Sequence, residues 1–82
     1  SYSVVVFPNP AGTFINVRIM GDVEYPVWVW IIDLSGRTVQ EKTQVTVEQQ
    51  YSLDNLAAGT YLYEVQNGSG LLQRGKLVLT KR

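Results

Sequence analysis

The sequence predicts an all-β protein, folded as an antiparallel β-sandwich of about seven strands. Apolar and polar residues alternate with a period of two along most of the chain, and no apolar stripe with the helical period persists. Turn-forming residues interrupt this alternation at short intervals. At 82 residues, of which 45% are hydrophobic, the chain is long enough for one small core. We therefore expect a single domain over residues 1–82.

The first three strands are expected in the N-terminal half of the chain. The first covers residues 2–7 and ends at Pro8-Asn9-Pro10, where two prolines remove backbone donors from any ladder. The second covers residues 13–20, in which every second residue is apolar. The third covers residues 25–33 and is followed by a turn at Ser35-Gly36.

Four further strands complete the predicted pattern, at residues 38–42, 44–53, 60–66 and 71–81. The corner sequence DNLAAG and the turn sequence NGSG separate the last three of them. The inward-facing side chains of all the strands are expected to form one core. Its expected members are Val5, Ile15, Val17, Ile19, Val27, Val29, Ile31, Val47, Leu53, Leu56, Tyr61, Tyr63, Val65, Leu77 and Leu79.

The composition argues against several kinds of chemistry. The chain has no histidine and no cysteine, so it lacks the usual general base near neutral pH, the thiolate nucleophile and the commonest transition-metal ligands. Its net charge of +0 disfavours nucleic-acid binding through a broad basic face. Asp22 and Glu24 offer oxygen atoms to a calcium ion, but a solvated loop explains them more simply. We expect no enzyme activity, no cofactor and no metal site.

The stretch VWVWII places two tryptophans on one face of the third strand. If Val27, Val29 and Ile31 face the core, Trp28 and Trp30 point the other way. Two aromatic rings on an outer sheet face form an apolar platform, which suits contact with a partner, an upstream domain or a second copy in a dimer. Stacking on a sugar and cover by another part of the chain are the alternatives.

Positive charge is concentrated at the C-terminal end of the chain. Four of the seven basic residues, Arg74, Lys76, Lys81 and Arg82, occupy the last nine positions, and no acidic residue follows Glu64. Lysines on a terminal strand discourage the addition of another strand, which is one explanation. The other explanation is that a partner recognises this strand.

Four segments occur in order along the chain: FPNPA at 7–11, DLSGR at 33–37, LAAGTY at 56–61 and GKLVLTK at 75–81. Together they resemble the type A C-terminal sorting domain of type IX secretion cargo in Bacteroidetes, and the resemblance covers essentially the whole chain. It implies an Ig-like β-sandwich of seven strands at the extreme C-terminus of a secreted or surface protein. The present chain is then expected to be excised from a longer polypeptide.

The resemblance implies that the domain is a sorting signal rather than an enzyme. Such domains accompany their upstream cargo through the periplasm and direct it through an outer-membrane translocon, with its shuttle components, to the cell surface or beyond. A sortase-like cysteine peptidase then removes the domain and joins the cargo to a lipopolysaccharide. The alternative function is an Ig-like accessory module that binds carbohydrate, or mediates domain or dimer contacts, through Trp28 and Trp30.

The resemblance also implies roles for individual residues. The secretion machinery is expected to read the terminal strand at Lys76, Leu77, Val78, Leu79 and Lys81, with both lysines exposed and the apolar residues holding the strand in place. A free terminal strand would also offer backbone groups for strand addition. The remaining motif residues are interpreted as mainly structural: Pro8, Asn9, Pro10, Asp33, Gly36, Arg37, Gly59 and Tyr61.

Overall fold

The computed structural model describes residues 1–81, which form two antiparallel sheets of three and four strands. One sheet has the strand order β1-β2-β5 and the other β4-β3-β6-β7, which confirms the all-β sandwich and is consistent with an Ig-like arrangement. The strands are β1 (Tyr2–Phe7), β2 (Phe14–Gly21), β3 (Val27–Asp33), β4 (Thr38–Val45), β5 (Glu48–Ser52), β6 (Gly59–Asn67) and β7 (Gly70–Leu79).

The core lies between the two sheets and consists mainly of aliphatic side chains. Fully burying such a side chain contributes about 1.5–3 kcal/mol relative to leaving it exposed. All but three of the predicted core residues are buried, which confirms the inward face of β2, β3, β6 and β7. The side chains with almost no exposed surface are Ile15, Val17, Val27, Val29, Ile31, Val45, Leu53, Val65, Leu77 and Leu79.

In β1, the predicted inward residue was wrong by one position. Val5 is 39% exposed and Val4 is buried instead. Three consecutive valines give no alternation, so the local sequence does not say which of them faces inward. The pairing of Val4 with Ile19 in β2 decides it, because paired residues share a face of the sheet.

A similar correction applies between β4 and β5. Val47 was predicted in the core but is 64% exposed, whereas Val45 is fully buried. The predicted strand over residues 44–53 is in fact divided, because β4 ends at Val45 and the chain crosses to the other sheet before β5 begins. The backbone oxygen of Val47 accepts a hydrogen bond from the Ile19 N–H at 2.8 Å in this crossing segment, while the Val47 side chain lies on the surface.

Two further residues differ from the predicted core. Leu56 is only partly buried and packs against the edge of the core. Ala11 was not predicted and is completely buried. It follows the proline segment, and its position is explained by the contacts it makes with β7.

A tyrosine closes the corner at which β6 begins. The Tyr61 hydroxyl donates a hydrogen bond of 2.6 Å to the backbone oxygen of Ala57, the arrangement found at the corresponding corner of many Ig-like sandwiches. Gly59, at φ +153°, lets the chain turn into the strand. Since β6 pairs with β3 on one side and β7 on the other, this corner helps to fix the terminal strand.

Candidate functional site

The terminal strand β7 divides the five predicted recognition residues between different surroundings. Leu77 and Leu79 are completely buried and hold the strand against the core. Lys76 and Val78 point to the opposite side of the sheet, where Lys76 is exposed and Val78 is half-buried. Lys81 lies beyond the end of the strand. Only two of the five side chains therefore stand on the outside of the sheet.

These two side chains share one sheet surface with the tryptophan pair. In the register, Trp30 pairs with Glu64, which in turn pairs with Arg74; Ile32 pairs with Leu62, which in turn pairs with Lys76. Residues that are paired in this way project to the same face. We call this surface the outer face; its members are Trp28, Trp30, Ile32, Lys42, Leu62, Glu64, Arg74, Lys76 and Val78. The structure thus joins two regions that the sequence analysis treated separately.

A lysine from the neighbouring strand lies over both tryptophan rings. The Lys42 ammonium is 5.4 Å from the ring centroid of Trp28 and 5.0 Å from that of Trp30. Both distances are within the range of cation–π attraction. The two rings are half-buried, so the chain itself covers part of the platform and leaves the remainder accessible.

The basic end of the chain has an acidic partner in Glu64, the last acidic residue of the sequence. Glu64 is 8% exposed; its Oε2 accepts a hydrogen bond from Arg74 Nε at 2.8 Å and lies 2.7 Å from Arg74 Nη2. The two residues are ten positions apart in sequence but face each other across β6 and β7. Neither Lys42 nor Lys76 takes part in a salt bridge within residues 1–81. The outer face therefore combines accessible apolar surface with two cations that lack an acidic partner in this region.

The outer edge of β7 is not free over its whole length, which corrects the expectation of a free terminal strand. Residues 9–11, which we call the strap, lie along it. The Asn9 side chain donates to the Lys76 backbone oxygen at 2.8 Å and accepts from the Val78 N–H at 3.0 Å. The Ala11 N–H donates to the Val78 oxygen, and the Ala11 oxygen accepts from the Thr80 N–H, both at 2.8 Å. Ala11 thus forms a parallel bridge to Leu79.

The crossing of the chain from one sheet to the other explains the position of the proline segment. β1 belongs to the three-stranded sheet, whereas the strap bonds to the edge of the four-stranded sheet. Pro8 and Pro10 cannot donate to a ladder, so they interrupt β1 and let the chain cross to the other sheet. The amide side chain of Asn9 has one donor and one acceptor group, which match the two backbone groups it meets.

Lys81 is turned inward rather than outward. It is half-buried, and its ammonium donates to the backbone oxygens of Leu53 and Asp54, the latter at 3.0 Å. These carbonyls belong to the corner after β5. Lys81 therefore fastens the end of the chain to this corner and does not contribute to the outer face.

A family model described as secretion system C-terminal sorting domain matches residues 5–80, which include β7 and the strap. The chain belongs to this family. Its function is that of a C-terminal sorting signal for type IX secretion. A comparison with curated proteins and one with solved structures give no significant match.

Membership has consequences for partners and destination. A sorting domain of this family interacts with the type IX secretion machinery and with an upstream cargo, and it accompanies export across the outer membrane. The role that the family suggests is non-enzymatic. Among residues 1–81, no helix is long and apolar enough to cross a membrane, and no three potential metal-ligating side chains come together.

In this sorting domain, the DLSGR segment forms the turn that joins β3 to β4. Asp33 Oδ1 accepts from the Ser35 hydroxyl at 2.6 Å and from the Arg37 N–H at 3.0 Å, and Oδ2 accepts from Arg37 Nε at 3.2 Å. The Ser35 hydroxyl, followed by the Arg37 N–H, lowers the pKa of Asp33 from 3.8 to about 2. Gly36 has φ +91°, which favours glycine. The turn brings β4, and with it Lys42, alongside the tryptophans of β3.

Gly75 has a structural role that the sequence did not reveal. Gly75 is paired with Tyr63, and a Cβ atom at this position would lie 2.5 Å from the Tyr63 ring. The Tyr63 hydroxyl accepts from Gln73 Nε2 at 2.7 Å, and the same nitrogen donates to the Val4 oxygen at 3.0 Å. A glycine inside a strand indicates a close approach of this kind, which is the sequence signal that could have identified it.

Proposed function

We propose that the secretion machinery recognises this sorting domain through its outer face. The observation that carries the proposal is that Lys76 and Val78 of the terminal strand share this face with the two tryptophans. An apolar surface with aromatic side chains and cations at its border is typical of protein interfaces. Its partner is expected to offer an apolar surface bordered by carboxylates.

The residues of the terminal strand then have different tasks. Lys76 and Val78 contact the partner, together with Trp30, Ile32 and Leu62. The other predicted recognition residues act from inside the domain, since Leu77 and Leu79 anchor β7 in the core and Lys81 binds the corner after β5. The motif residues hold the scaffold that presents the face. They are Pro8, Asn9, Pro10, Asp33, Gly36, Arg37, Gly59 and Tyr61.

The domain would act as a sorting signal at the C-terminal end of its cargo and would have no catalytic task. In this proposal it travels with the cargo to the translocon and shuttle components of the outer membrane. A sortase-like cysteine peptidase then removes it at the cell surface, where the cargo becomes attached or is released. Residues 1–82 form one domain in this scheme, and the family match over residues 5–80 supports that extent.

A reporter experiment tests the use of the outer face. The domain is fused to a fluorescent protein that carries an ordinary export signal, in a host with a type IX system. Lys76→Glu should reduce the surface-exposed reporter about tenfold, because it places a carboxylate where the partner's carboxylates are expected. The readout is protease-accessible fluorescence on intact cells.

A control introduces a carboxylate elsewhere on the surface. Gln50 is exposed on the other sheet, so Gln50→Glu should sort like the unaltered domain. Far-ultraviolet circular dichroism and thermal unfolding verify that both variants fold. If Lys76→Glu sorts normally, or if Gln50→Glu is equally impaired, the outer face is not the surface that the machinery reads.

A further inference from the structure

The strap occupies backbone groups of β7 that an added strand would need. Strand addition requires a row of unpaired N–H and C=O groups along a sheet edge. Asn9 and Ala11 meet these groups on Lys76, Val78 and Thr80 through four hydrogen bonds between 2.8 and 3.0 Å. The strap therefore stands in the place of a further strand, using one side chain and one residue of backbone.

The same edge continues beyond the strap. In an antiparallel ladder, alternate residues direct their backbone groups away from the partner strand. Since Lys76 and Val78 face away from β6 in this way, Arg74 does so too. The next contact along the edge is the Tyr2 hydroxyl, which donates to the Leu72 oxygen at 3.0 Å. A segment around Arg74 thus lies between the two contacts.

We propose that the β7 edge is a second interaction surface, which takes up an extended acidic strand of a partner in exchange for the strap. The side chains beside the edge indicate the chemistry of that strand. Arg74 and Lys76 are exposed on the same face, two positions apart; Arg74 already pairs with Glu64, whereas Lys76 has no salt bridge within residues 1–81. A strand paired with β7 would set its own alternate side chains directly against them, and opposite charges in such pairs stabilise a sheet. A strand with glutamate or aspartate opposite Lys76 fits this edge.

Charge also distinguishes this partner from a second copy of the chain. If two β7 edges paired antiparallel in the register that sets Arg74 opposite Lys76, the cations of the two copies would lie against each other. Like charges placed opposite each other destabilise strand pairing. The edge is therefore matched to a strand of opposite charge rather than to itself.

The strap is built so that exchange costs little. Pro8, Asn9 and Pro10 are exposed, and only the Ala11 methyl is buried. The strap's own side chains therefore contribute one methyl group to the core. An incoming strand that reaches from Arg74 to Thr80 replaces the lost hydrogen bonds and adds those of Arg74. The exchange is thus a replacement of like by like, with the charge pairs as its driving force.

Hydrogen exchange tests the strap on the unfused 82-residue chain. The Asn9→Ala variant removes both side-chain bonds, so the Val78 amide should exchange about tenfold faster, corresponding to the loss of one or two hydrogen bonds. The amides of Leu77 and Leu79, which face β6, should keep their exchange rates. Asn55→Ala, which alters an exposed asparagine of a turn, is the control. An unchanged Val78 rate in Asn9→Ala would overturn the strap as the cover of this edge.

A synthetic peptide tests the partner. The probe alternates glutamate with valine over about six residues, and its controls have lysine for glutamate or a proline in the centre. The acidic peptide should bind Asn9→Ala about tenfold more tightly than the unaltered chain and restore the protection of the Val78 amide. The lysine and proline peptides should bind at least about tenfold more weakly than the acidic one.

Two results would contradict the assignment. Equal binding of the acidic and lysine peptides would contradict the preference of the edge for an acidic strand. Sedimentation of Asn9→Ala as a concentration-dependent dimer would assign the edge to a second copy. Neither measurement uses a secreting host, so failure here is distinguishable from failure of the outer face in the reporter experiment.

Discussion

The two outer surfaces of the sandwich differ in how their charges are satisfied. On the three-stranded sheet, the Arg18 guanidinium lies 4.8 Å from the ring centroid of Phe7 and bonds to Glu48 Oε1 at 2.8 Å. On the four-stranded sheet, Arg74 is paired with Glu64, whereas Lys42 and Lys76 have no salt bridge within residues 1–81.

Exposed apolar surface alone would not tell the two faces apart. The three-stranded sheet also has exposed apolar residues, among them Val5, Phe14 and Met20. What distinguishes the outer face is the combination of tryptophans with cations that have no acid of their own. The presence of cations without a salt bridge, more than the exposure of apolar groups, therefore identifies the surface suited to a partner.

The largest expected effect is the difference in stability between substitutions on the inner and on the outer side of β7. Leu77→Ala should lower the free energy of unfolding by about 2–5 kcal/mol, because it leaves a cavity in the core. Val78→Ala on the outer side should cost less than about 1.5 kcal/mol, since the side chain is half-buried. Urea denaturation measures both. Equal losses would contradict the assignment of Val78 to the outer face.

The next effect compares the acidic residues of the two faces. Glu64→Gln should cost about 1.5–3 kcal/mol, because a buried carboxylate loses charge-assisted bonds to Arg74. Glu48→Gln should cost at most about 1 kcal/mol, since its partner Arg18 and the carboxylate are both exposed. Denaturation at low and high salt measures the difference. If the two losses are equal and disappear together in salt, Glu64 is solvated like a surface residue.

The smallest effect concerns the turn that sets Lys42 beside the tryptophans. The pKa of Asp33 is depressed from 3.8 to about 2, so the ionised form is favoured by the fold. The stability that it contributes is present above pH 3.8 and is lost as the pH falls through about 2.

Acid titration checks this effect. Between pH 4 and pH 2, the unaltered chain should lose stability and change its tryptophan fluorescence, whereas Asp33→Asn should show a smaller dependence on pH over this window. Asp54→Asn, which changes the net charge equally, is the control. Identical acid profiles for the Asp33 variant and the unaltered chain would show that this turn does not link acid to the tryptophan environment.

Sequence by itself determined the class of the fold, most of its strands and most of its core. Where apolar and polar residues alternate without interruption, as from Ile15 to Ile19, the inward face follows from the period of two alone. The turn at Asp33 and Gly36 was equally readable, because its residues bond within five positions of chain. The motifs that indicated the family are also local.

Tertiary structure decided whatever depends on contacts between distant parts of the chain. The inward valine of β1 follows from its pairing with β2, and the Glu64–Arg74 pair follows from the β6–β7 register. Asn9 and Lys76, joined by a hydrogen bond, are separated by 67 positions of the sequence. Lys81 and Leu53, joined in the same way, are separated by 28 positions. No local pattern encodes such bonds, since a side chain that will bond to a distant backbone looks like any exposed polar residue until the fold brings the two together.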